Sequence, residues 1–73
     1  MGRTDRAIVD LKVAVDLDPL DFRALLNLSN MLLQTGNIKD AEVMIQRALA
    51  LNPSSPEARQ ILQAVSAQRQ SSP

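Results

Sequence analysis

Three carboxylates, Asp16, Asp18 and Asp21, fall within one short stretch and form the densest set of hard oxygen ligands in the chain. A calcium loop also needs a central Gly for its sharp turn and a closing bidentate Glu at fixed spacing. Neither follows Asp21, which instead stands where a helix N-cap is wanted. Hydroxyls, lysines and carboxylates are present, but no nucleophile, base and orienting group share a recognisable spacing. With no Cys and no His, thiol and imidazole catalysis are excluded, and zinc, haem and iron–sulfur centres lose their usual ligands. No catalytic residue, metal site or cofactor is therefore assigned. Asn27-Leu28-Ser29 reads as a glycosylation sequon, but it lies inside a helical pattern and no secretory signal precedes it.

The remaining chemistry is that of surfaces. Eight basic and eight acidic residues give a formal net charge of zero, which excludes the cationic surface that nucleic acid demands. Phe22 is the single aromatic residue, so stacking platforms and aromatic cages are absent. At 73 residues the chain allows one small domain, burying about 60% of the surface exposed on unfolding. Its hydrophobic content of 45% is that of a folding chain. No apolar run approaches the roughly 20 residues of a membrane span, so no membrane partner is expected. The lack of a signal peptide, of a span and of Cys leans toward a cytoplasmic setting.

The elements that must carry any surface emerge from an internal repeat. Shifted by 34 residues, the sequence matches itself: Ala7 on Ala41, Val9 on Val43, Ala14 on Ala48, Leu17 on Leu51, Pro19 on Pro53, Ala24 on Ala58 and Leu28 on Leu62. Gly2 falls on Gly36 in the same register. A period of this size means stacked supersecondary units. The units are helices. Leu25, Leu28, Ser29 and Leu32 share one face of a 3.6-residue period, and Ile38, Ala41, Ile45, Ala48 and Leu49 share another. Between them, Thr35-Gly36-Asn37 supplies a left-handed stop at Gly36 and an N-cap at Asn37. Ser55 and Pro56 start a further helix, with Glu57 favouring its positive N-terminus. The reading is four helices over 4–17, 21–35, 38–51 and 56–69, with a fraying tail at 70–73. The fold class is all-α: antiparallel hairpins in the order B-A-B-A.

Residues 22–55 resemble a tetratricopeptide repeat, a helix–turn–helix unit of 34 residues. Leu25, Leu28 and Leu32 match its large first-helix positions and Ser29 its small one. Gly36 matches the turn, and Ala41, Ile45 and Ala48 the second helix. Leu51-Asn52-Pro53 matches the closing element. Residues 2–19 resemble the second half of a preceding unit and residues 56–69 a first helix that caps the stack, giving one full repeat at 20–55 in a single module over 1–73. In that last helix Arg59, Gln63 and Ser66 replace the large, small and large positions, as a polar outer face requires. The resemblance implies a short right-handed α-solenoid and a non-catalytic scaffold that binds a protein or peptide on the concave first-helix face. The ligand-facing positions of the family fall on Arg23, Leu26, Asn27, Asn30, Leu33 and Gln34, which share one helical stripe. The carboxylate clamp of some members is not implied, because Glu57 and Ile61 stand where basic residues are needed.

The first helix is apolar nearly all round, and the resemblance puts its hairpin partner upstream of Met1. Exposed together, Ile8, Leu11 and Val15 would leave a patch large enough to drive self-association as a homodimer. A purely structural segment of a longer solenoid is the other alternative function.

Overall fold

The computed structural model describes residues 3–71 and contains four helices: α1 (Arg3–Leu17), α2 (Phe22–Gln34), α3 (Ile38–Leu51) and α4 (Pro56–Ser71). Each lies within about two residues of its expected span. The departure is at the end of α4, which continues through Gln70 and Ser71, so half of the expected tail is helical. Ser72, Pro73 and the turn glycine Gly2 lie outside the described residues.

Local chemistry sets the boundaries. The Asp21 carboxylate accepts from the Ala24 amide at 3.1 Å, which satisfies one of the free donors at the start of α2. Ser55 does the same for Ala58 at 3.2 Å at the start of α4. Asp18 accepts from the Leu20 amide at 3.2 Å, so two of the three clustered carboxylates, Asp18 and Asp21, serve the joint between α1 and α2. At the end of α2 the Asn37 amide donates back to the Leu32 carbonyl at 2.8 Å, with Gly36 at φ +83° making the reversal. Asn37 departs from expectation. It occupies the N-cap position of α3 but makes no side-chain cap; its amide group donates to Thr35 Oγ1 instead.

The short links turn each helix back on the last, so α1 and α3 run one way and α2 and α4 the other. Within the α2–α3 hairpin Leu25, Leu28, Ser29 and Leu32 meet Ala41, Ile45 and Ala48, all buried. Small residues at Ser29, Ala41 and Ala48 bring the two axes close, and the leucines and Ile45 fill the flanks. Each buried Leu or Ile contributes about 1.5–3 kcal/mol by leaving water. The Ser29 hydroxyl donates to the Leu26 carbonyl at 2.8 Å, so the small position carries no unpaired polar group. Ala58 and Val65 anchor α4, whose Arg69 pairs with Glu42 of α3.

α2 packs on all three other helices, whereas α1 packs on α2 alone. The contacts leave an open groove between α1 and α3, floored by α2.

Candidate functional site: a polar strip on α2 and a groove between α1 and α3

The stripe expected to face a ligand divides in two. Arg23, Asn27, Asn30 and Gln34 are exposed, and their spacing of four, three and four residues lays them along one edge of α2. Leu26 is 4% exposed and belongs to the core, and Leu33 is half-buried against it. The apolar anchors expected at Leu26 and Leu33 are thus taken by the protein's own packing. The period that placed them beside the ligand stripe also places them at the edge of the buried face. What remains is a guanidinium and three primary amides, able to donate and accept along a peptide backbone.

Self-association residues fare similarly. Ile8 and Val15 are buried against α2, so the patch expected from Ile8, Leu11 and Val15 does not form. Leu11 alone stays half-buried, together with Ala7 and Ala14. The repeat explains why. Ala7, Leu11 and Ala14 are the equivalents, 34 residues earlier, of Ala41, Ile45 and Ala48, which α2 covers completely. Ala7, Leu11 and Ala14 stand at the seam positions of the repeat, whereas Ile8 and Val15 are buried in the contact of α1 with α2. The apolar residues that α1 does expose are Val9, Val13 and Leu17, at 50% or more.

One feature was missed by the sequence reading. The groove between α1 and α3 has a volume of about 290 Å³. Val15, Leu28, Leu32 and Met44 give it apolar surface, and Lys12, Asp16, Asp40 and Arg47 stand on its walls. No ion pair joins these four charged residues to one another or to other described residues. Their signal in the sequence was a mixed-charge stripe on each second helix, which reads as an ordinary solvated face until the two helices are placed side by side. Among the described residues no three His, Cys, Asp or Glu side chains gather as metal ligands, and no helix is long and apolar enough to cross a membrane.

Stacked antiparallel hairpins with a 34-residue period, small residues in the seam and a polar first-helix edge define a helical-repeat protein. The tetratricopeptide repeat model matches residues 1–65, and the chain belongs to that family. Searches of curated proteins and of solved structures gave no match. Repeats of this family generally mediate protein–protein interaction.

Proposed function

We propose that the chain is a non-catalytic protein-interaction scaffold that holds a peptide segment of a partner along the exposed edge of α2. The observation that carries this reading is the division of the stripe: Arg23, Asn27, Asn30 and Gln34 are all open to solvent, while Leu26 is buried and Leu33 half-buried against the core. Such an edge suits an extended segment, whose backbone amides and carbonyls pair with the side-chain amides and whose acidic group or C-terminus pairs with Arg23. By the same repeat offset, Glu57, Ile61, Ala64 and Gln68 of α4 stand at the equivalent positions.

The test is selection of peptides from a random library on the immobilised chain, followed by mapping with amide chemical shifts. Asn27→Ala with Asn30→Ala should weaken a selected peptide roughly tenfold or more, at about 0.5–1.5 kcal/mol per lost hydrogen bond, without unfolding the domain. Perturbations centred on Gln46 and Glu42 of α3 would overturn the assignment.

Two further readings have their own support. Exposed Val9 and Val13 favour self-association through α1, on a different face from the one the sequence suggested. The half-open seam of Ala7, Leu11 and Ala14, with polar Arg59, Gln63 and Ser66 exposed at the other end, favours a segment of a longer stack.

A further inference from the structure

The 34-residue repeat places the same seam on two helices and covers only one of them. On α3, Ala41, Ile45 and Ala48 are all 0% exposed, packed by Leu25, Leu28, Ser29 and Leu32 of α2. This α2–α3 contact is the most extensive between any two helices described. On α1 the same positions hold Ala7, Leu11 and Ala14: alanine for alanine, and leucine for an isoleucine of equal volume. These three are only half-buried. The one helix that touches α1 is α2, which it meets through Ile8 and Val15. The chain therefore shows, on its own α3, what kind of surface fits the open seam of α1.

We infer that the Ala7–Leu11–Ala14 seam is a docking site for an amphipathic helix of a separate protein, one that repeats the apolar pattern of α2. That helix runs antiparallel to α1, as α2 does to α3. It carries large apolar residues at its first, fourth and eighth seam positions and a small residue at the fifth, the spacing of Leu25, Leu28, Ser29 and Leu32. The small residue lets the axes approach over Ala7 and Ala14. Its other faces meet water and are polar, unlike those of α2, which also packs on α1 and α4.

A second copy of the chain does not supply such a helix. Its α2 is already packed against all three other helices. Its α4 carries Arg59, Gln63 and Ser66 at the positions of Leu25, Ser29 and Leu32. Laying α1 on α1, in either direction, sets Leu11 against Leu11, which holds the axes apart. Ala7 and Ala14 then meet only alanine, leaving voids where α2 places leucines at the equivalent seam. A free helix of this length must order as it binds, and a one-helix footprint of about 20 Å by 10 Å is small, so the contact is weak and reversible. The inference does not depend on the α2 edge: a chain that captures no peptide there still presents the α1 seam.

The probe is a synthetic peptide with the sequence of residues 21–37 carrying Leu26→Lys, Met31→Glu and Leu33→Lys. It keeps the four seam residues of α2 and loses three side chains that α2 packs elsewhere in the core, so it cannot replace α2 itself. Amide shifts and hydrogen exchange of the isotopically labelled chain follow binding, and circular dichroism follows folding. Shifts should centre on Ala7, Leu11 and Ala14, and exchange should slow along α1. Ser29→Leu in the peptide, or Leu11→Lys in the chain, should each weaken binding roughly tenfold or more. Val9→Ser, on the side of α1 away from the seam, should leave it unchanged. Absence of any shift up to millimolar peptide overturns the inference, as does equal affinity for the folded Leu11→Lys chain. Shifts centred on Ala41 and Ile45 overturn it too. Shifts centred on Arg23, Asn27 and Asn30 overturn it while leaving the α2-edge reading in place.

Discussion

Replacing Ala48 by Leu tests whether the α2–α3 seam is held at the separation that small residues allow. Ala48 is 0% exposed, as are Ala41 and Ser29 around it, so three added carbon atoms have nowhere to go. Overpacking of this kind costs about 1–3 kcal/mol. A domain of 73 residues has a total stability of about 4–11 kcal/mol, so the loss is a substantial fraction. At about 4–8 °C per kcal/mol for a domain of this size, a loss near 2 kcal/mol lowers Tm by about 8–16 °C. The repeat provides its own control. Ala14 is the same position one unit earlier, but its seam is half-open, so Ala14→Leu should shift Tm by no more than a few degrees. Ala50→Leu on the exposed side of α3 should stay within about 0.5 kcal/mol. Thermal melts by circular dichroism at low micromolar concentration read all three. Equal melting temperatures for Ala48→Leu and Ala50→Leu would refute the close approach of α2 and α3 at this seam.

Two further substitutions test the helix ends. Ser55→Ala removes the hydroxyl that accepts from the Ala58 amide and should cost about 1 kcal/mol in urea titration, whereas Ser54→Ala next to it should cost almost nothing. Gly36→Ala places a side chain at φ +83° in otherwise open space; the cost is that of the left-handed backbone, about 1–2 kcal/mol, and a neutral result would show that the turn relaxes to another conformation.

Most of the fold was legible because its determinants are local and repeated. The 34-residue register fixed which residues share a seam, and Gly36, Asp21 and Ser55 marked helix ends by chemistry that acts within four residues. The site was harder to read because helical periodicity gives an angle but not a neighbour. Leu26 lies one step around the wheel from Asn30, and only the packed structure shows that the boundary between core and solvent runs between them. Ile8 and Val15 failed for a related reason. An isolated helix that is apolar on several sides does not reveal which side meets the next hairpin, whereas comparison of Leu11 with its covered equivalent Ile45 does. The α1–α3 groove was invisible because it belongs to no single helix.

The lone attachment of α1 to α2 has a consequence for how the chain comes apart. Nearly all the helix contacts join neighbours in sequence, which is the pattern of fast-folding chains. Detaching α1 breaks one interface and leaves the central hairpin and α4 as they were; detaching α2 breaks every interface it makes. The molecule is therefore graded in its resistance to opening, from a first helix that can lift off as a unit to a central hairpin that opens only when the whole domain does. Any partner that grips α1 pulls on the loosest element of the fold, and one that grips α2 pulls on the firmest.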